Sequence, residues 1–376
     1  MNVDALRERF TSLQQGFAFF DAPGGTQVPD EVGQAVANAL KEASANYGAP
    51  YATSRAVESI MSRARADGAS FLGCDAEEIV FGMNMTTLDF ALSRAAGREF
   101  REGDEILTTQ LDHDGGVAPW VELAEDRGLV VRVVDATDEL TVDYDDLERK
   151  LSDRTRVVAF AIASNATGSV ADARRICTLA REAGAISWID AVHYAAHEPI
   201  DVRALGCDVL LCSPYKFCGP HLGIAYVREE LAATWRPYKA RPSKLRFETG
   251  TLPYELLAGF SATIAYLETI GGMEQIRMYE RELGERFIDG LPGNVTLYGP
   301  PTMEGRVPTF LFNVNGVPAD VAAHRLADDG FGVWYADNWY CVALGPRLPE
   351  QSLRAGIAHY NTADEVARLL GALASL

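Results

Sequence analysis

The chain has 376 residues, 48% of them hydrophobic, enough to bury a large core, and its length suits one large domain joined to a smaller one. A formal charge of −19 argues against a nucleic-acid partner, since phosphate backbones are held by surplus Lys and Arg that this chain lacks. No run approaches the roughly 18–20 apolar residues needed to cross a bilayer, and MNVDALRERF at the start has mixed charges with no apolar stretch behind it; a cytoplasmic protein with a small-molecule ligand and no membrane partner is expected.

In chain order, a short segment DAPGGTQVP is followed from about residue 79 to 227 by β-branched apolar runs alternating with helical patterns. The strand candidates are EIVFG, EILTTQ, LVVRVVDA, TRVVAFAIAS, AISWIDA, CDVLLC and GIAYVR. Amphipathic stretches such as APWVELAEDRG and DARRICTLAREAG lie between them, the second closed by a glycine suited to a helix C-terminus. Such alternation predicts an α/β fold with a mostly parallel sheet covered by helices on both faces. Ligands of these sheets sit beyond the carboxyl ends of the strands, which directs attention to Asn165, Asp190 and the Ser213 to Lys216 segment. After about residue 250 a long helical stretch, PYELLAGFSATIAYLETIGG, opens a different pattern of isolated strands and helices. The domain reading is residues 21–254 for the large domain, and 1–20 with 255–376 for the small one.

Within this frame Thr86 and Thr87 stand just before an apolar helical run, where free N–H groups and the helix dipole suit a phosphate, although Thr also favours a plain N-cap. His113 follows the next strand and could lie over a flat ring, or be an ordinary loop histidine. Asp190 ends an apolar strand, where a carboxylate is costly without a cationic partner. A pyridinium nitrogen is such a partner, and Lys216 lies beyond the following strand; the Asp and Lys pair points to pyridoxal 5′-phosphate (PLP). His193 and His197 sit four apart beside Asp190, but no third ligand follows with metal-site spacing, so no metal is expected. The chain carries no P-loop, no G-x-G-x-x-G fingerprint and no G-x-S-x-G elbow. Its six cysteines form no C-x-x-C pair and read as reduced core residues.

The order Thr-Thr, His at the next strand end, S-N-x-x-G, D-x-x-H, S-x-x-K-x-x-G-P, R-F-E-x-G-T and R-x-x-x-x-x-Y-N-T resembles the class V aminotransferases, cysteine desulfurases among them, over nearly the whole length. The resemblance implies fold type I: a large PLP-binding domain plus a smaller α+β C-terminal domain. It implies that Lys216 carries PLP as a Schiff base and works as acid and base at the substrate Cα, while Asp190 keeps the pyridine nitrogen protonated. His113 would stack on the ring, Asn165 would meet the ring oxygen or the substrate carboxylate, and His193 would lie near that oxygen. Thr86, Thr87, Ser213 and Tyr215 fall among the expected cofactor contacts, Tyr215 standing where desulfurases commonly have His. Thr251 resembles the threonine that reaches the phosphate of a neighbouring subunit, which implies a homodimer. Arg354 resembles the arginine that grips the amino-acid α-carboxylate. Asn46, Tyr47 and Arg55 either line the mouth or are simple loop structure.

Desulfurases also need a mobile cysteine thiolate. Aligned with their R-T-G-H-H-C segment, GFGVWYADNWYCVALG places Trp339 at that cysteine, Cys341 two residues later in an apolar run, and Trp334 at the arginine. Trp334, Tyr335, Trp339 and Tyr340, with Asp337 and Asn338, suit either a pocket for a bulky amino acid or a packed interface; Tyr335 and Trp339 are taken as substrate-binding candidates. Loss of the thiol beside an intact PLP site favours chemistry that needs only Lys216 and the electron sink, and the resemblance to class V relatives that lack the thiol puts carbon–sulfur β-elimination from a cysteine S-conjugate first. Decarboxylation coupled to oxidative deamination, transamination, epimerisation and desulfuration remain alternatives, and a non-catalytic binding module would require a defective site.

Overall fold

The structure is a computed structural model that describes residues 1–241 and 245–376. The first eight strands are β1 (Ala18–Phe19), β2 (Ile79–Gly82), β3 (Glu105–Thr109), β4 (Val130–Val134), β5 (Thr155–Ala161), β6 (Ile186–Asp190), β7 (Val209–Cys212) and β8 (Gly223–Val227). Then come β9 (Val295–Tyr298), β10 (Thr309–Val314), β11 (Phe331–Gly332), β12 (Trp334–Ala336) and β13 (Ser352–Gly356).

A seven-stranded sheet runs in the order β2-β8-β7-β6-β5-β3-β4, with only β8 antiparallel to its neighbours. All seven apolar runs of the sequence form its strands. β7 and β8 are buried along their whole length, as expected of strands covered on both faces. Alternation does the sorting: Phe160, Ile189 and Leu210 enter one apolar cluster, whereas Ala159, Trp188 and Leu211 enter another on the opposite face. The second face is covered by the helices Met85–Ala96 and Asp114–Arg127, whose Leu92 and Trp120 join that cluster.

A second, antiparallel sheet, β12-β13-β10-β9, holds its own cluster with Leu283, Phe287, Leu326 and Leu369. Ala18 and Phe20 belong to this cluster, while Leu6, Phe10 and Leu13 pack with the large one. The Tyr254–Thr269 helix, placed by sequence after the boundary at 254, packs on the helices Asp30–Glu42 and Ala52–Leu72, with Leu257, Phe260 and Ile264 in the large cluster. Among the described residues no single helix is long and apolar enough to cross a membrane.

Candidate active site

A cavity of about 670 Å³ opens where the carboxyl ends of β5, β6 and β7 face the small sheet. The sheet delivers Asp190 as the last residue of β6 and Ser213 just beyond β7, followed by the short helical turn Pro214–Lys216. The small sheet supplies Arg354 from the middle of β13, directly across from Trp334 of β12. Gly223 lets the Asn84 turn settle on β8, since a Cβ there would stand 2.4 Å from the Asn84 carbonyl. That contact sets the N-terminus of the helix Met85–Ala96 against the cavity, where Met85 N–H donates to Ser213 Oγ at 3.2 Å.

Electrostatics single out the same residues. Lys216 is 8% exposed and donates through Nζ to the Pro23 carbonyl. Burial pushes its amine down to about 7 and the Arg354 charge adds to the fall, against the opposing pull of Asp190 and Asp21. Asp190 is raised to about 6 by burial, opposed by the Val192 N–H that it accepts and by Lys216. Burial, with Lys216 and Arg354, lowers His113 to about 4, and its Nδ1 accepts the Gly115 N–H at 2.9 Å, leaving the proton of the neutral ring on Nε2. Arg354 is 5% exposed, and burial lowers it to about 10. Its Nη1 donates to the Asn165 carbonyl at 2.8 Å and the guanidinium lies 4.3 Å from the Trp339 ring centroid; among the described residues no carboxylate forms an ion pair with it, Asp21 acting on it only through space. A buried cation with no carboxylate in direct contact is suited to receive an anion.

Of the residues singled out by sequence, Thr86, His113, Asn165, Asp190, His193, Ser213, Tyr215, Lys216, Trp339 and Arg354 all line this cavity. Thr87 does not: one helical step carries it to the exposed side, where its hydroxyl oxygen accepts the Asn84 N–H at 3.3 Å in a capping box. Tyr335 does not either. Strand alternation aims Trp334 and Ala336 at the cavity and turns Tyr335 to the other face, against His324. Thr251 is exposed and lies in a separate groove with Asn46, whose Oδ1 accepts the Tyr254 hydroxyl. Tyr47 lines neither space, and Arg55 caps the Pro50 carbonyl. Asn165 spends its side chain on the 339–341 segment rather than leaving it free. Its Nδ2 donates to the Trp339 carbonyl at 2.9 Å and its Oδ1 accepts from the Cys341 thiol at 3.2 Å.

Pro23 and Gly24 also line the cavity, from the DAPGGTQVP segment that resembles the family's segment near the site mouth. Sequence reasoning missed Asp89, which is fully buried with both carboxyl oxygens unpartnered. Burial lifts Asp89 well above the ordinary carboxylate range, the Asp190 charge adds to the rise and the Trp188 indole opposes it. Asp89 sits within the apolar run taken as a helix face, so no periodicity marks it.

Comparisons with known proteins fit this geometry. The aminotransferase class-V family model matches residues 18–369. A probable cysteine desulfurase of Mycobacterium leprae is 32% identical over 98% of this chain and 95% of its own length. The apo structure of a cysteine desulfurase from Thermococcus onnurineus superposes with a TM-score of 0.93 at 28% identity, covering 99% of this chain and 97% of that one. A C-DES mutant with glycine covalently linked to its PLP cofactor shares the fold at 19% identity, with a TM-score of 0.87.

The cofactor of this family is pyridoxal 5′-phosphate, and the residues present fit it. Lys216 is a buried amine, Asp190 a half-buried carboxyl with no cationic hydrogen bond among the described residues, and Thr86 with Ser213 stands at a helix N-terminus able to take a phosphate. The Nδ1 of His193 is buried and unpartnered, its Nε2 being shared with Thr309 Oγ1 at 2.9 Å, so an acceptor-bearing ring would satisfy it. The chain belongs to the aminotransferase class-V family of PLP-dependent enzymes.

Proposed function

We propose that the chain is a carbon–sulfur β-lyase that cleaves a cysteine S-conjugate. Bound PLP supplies the electron sink that makes the substrate Cα–H acidic. Arg354 binds the α-carboxylate as a counter-ion, with the Asn165 carbonyl fixing the guanidinium plane. Lys216, poised near neutrality, takes the Cα proton on Nζ; the Cβ–S bond breaks and the sulfur departs as a thiol once protonated. After reaction with water the remaining carbons leave as pyruvate and the nitrogen as ammonia. Asp190 holds the proton on the ring nitrogen throughout.

One observation favours elimination over desulfuration: Trp339 stands at the desulfurase thiol's place when the segment is aligned with R-T-G-H-H-C, and Cys341 is fully buried with its thiol committed to Asn165. Burial, reinforced by Asp112, pushes that thiol up to about 12, so no thiolate is available to attack sulfur. The second reading is cysteine desulfuration, favoured by the naming of the Mycobacterium leprae and Thermococcus relatives.

Product analysis separates the two. Equal amounts of pyruvate, ammonia and released thiol from an S-alkyl cysteine support elimination. Alanine with sulfide from free cysteine and reductant, and no pyruvate from any conjugate, would replace it by desulfuration. In the same reading the enzyme is a homodimer in which Thr251 reaches the partner's pocket, supported by its exposure away from its own cavity. It works in the reducing cytoplasm, supported by six unpaired cysteines.

A further inference from the structure

Three large side chains that line the cavity are also among the most exposed apolar residues of the protein. Trp334 is 50% exposed, Tyr340 70% and Val342 60%. Exposed apolar groups gathered at the rim of a pocket mark a surface that a ligand covers.

The rim is held rather than loose. Trp339 and Tyr340 adopt consecutive left-handed conformations, φ 56° and 59°, which for bulky residues persist only where neighbours enforce them. Here Asn165 holds the Trp339 carbonyl, Asp114 N–H donates to the Tyr340 carbonyl at 2.7 Å, and Tyr340 N–H donates to Asn338 Oδ1 at 2.9 Å. The result lays the Tyr340 ring on His113, with centroids 5.3 Å apart and planes 24° from parallel. Gly24 makes room on the opposite side for the Trp334 ring, whose Cζ3 would be 2.7 Å from a Cβ at that position. Trp334 is also the cross-strand partner of Arg354, so a substrate anchored by its carboxylate on Arg354 lies beside this ring. The exposed carboxylate of Asp337 completes the rim and disfavours anions.

We infer that Trp334 and Tyr340 form a subsite for an uncharged aromatic group on the substrate sulfur. The inference rests on the elimination reading for the identity of the substrate as a thioether. Two ring faces at a part-desolvated rim favour a planar group over a methyl by both buried area and ring geometry.

The test titrates the PLP-loaded enzyme with S-benzyl-, S-methyl- and S-carboxymethyl-L-cysteine, reading binding from the cofactor absorbance and turnover from pyruvate. The same titrations are made on Trp334→Ala and Tyr340→Gly, the latter removing the ring while relieving its left-handed backbone. Wild type is expected to bind the benzyl conjugate ~10-fold or more tightly than the methyl, and the carboxymethyl least well. That ratio falls toward unity in both variants, with Asp337→Asn recovering the carboxymethyl conjugate. Equal affinity for benzyl and methyl in wild type, or a preference that survives both substitutions, overturns the subsite. If the substitutions instead lower the oligomeric mass by light scattering and leave the preference intact, the rim is a subunit contact and the inference fails. Pyruvate from the methyl conjugate without a benzyl preference leaves elimination standing and removes only the subsite; benzyl-selective binding without pyruvate does the reverse.

Discussion

The side chains of Asn165 and Cys341 are joined across the cavity wall, thiol to amide oxygen at 3.2 Å. Asn165 comes from the loop after β5 and Cys341 from the segment between β12 and β13, so the contact ties the large sheet to the small one. With the Trp339 carbonyl on its Nδ2 and Arg354 on its own carbonyl, Asn165 fixes both the rim and the carboxylate receptor. On the proposed reading this buried cysteine is structural, set behind the cavity wall.

Replacing Cys341 by Ala removes a buried sulfur and one hydrogen bond, a loss of about 1–2 kcal/mol in stability. On the elimination reading proposed above, turnover continues in the variant, because no step of that reaction uses the thiol. Iodoacetamide applied to the native protein at neutral pH leaves the Cys341 peptide unmodified by mass spectrometry. Alkylation at the rate of an exposed thiol, or abolished turnover in Cys341→Ala, contradicts this assignment.

The depressed Lys216 amine gives a pH signature in the cofactor-free protein. An amine whose pKa is lowered to about 7 is neutral, and hence nucleophilic, at pH values above that. The rate at which added PLP is captured rises with pH and levels off above about 7. Arg354 contributes to the depression, so in Arg354→Gln the midpoint moves to higher pH. Stopped-flow absorbance across pH 5–9 reads both; an unmoved midpoint in the variant would remove Arg354 from the account of this amine.

Asp89 gives a second one, in stability. Its folded pKa lies well above the ordinary value near 3.8, so between those two points the folded chain holds a proton that the unfolded chain has lost. Stability contributed by this residue is present at low pH and lost as pH rises through that window. Asp89→Asn escapes the loss. Thermal unfolding of the cofactor-free variant at pH 7 is expected about 2–4 °C above wild type, with the gap closing toward pH 4. A variant less stable than wild type at pH 7 shows Asp89 to be ionised and paired.

Much of the site was legible because it sits where the sheet puts it. A strand-end acid at Asp190, a turn lysine at Lys216 and the Asn165 loop follow from seven apolar runs and one rule about strand ends. Direction was harder to read than position. Thr86 and Thr87 are neighbours in sequence, yet one helical step separates a cavity wall from a cap. Tyr335 looked like its aromatic neighbours, but β12 runs through Trp334, Tyr335 and Ala336 with the register that pairs Trp334 with Arg354, and alternation assigns Tyr335 to the far face. Asp89 beside the Trp188 indole and the buried His197 to Glu280 bond, 2.6 Å long, involve residues whose partners lie far away in sequence. No local pattern announces such groups.

The central claim is that this cavity is a PLP site anchored on Lys216, and borohydride reduction of the cofactor-loaded enzyme tests it most directly. Wild type should show the visible band of a lysine–PLP Schiff base, lose it on reduction, and yield a peptide bearing the phosphopyridoxyl mass on Lys216; Lys216→Ala should show neither. A label on another lysine, or no band after PLP is supplied, would contradict the account.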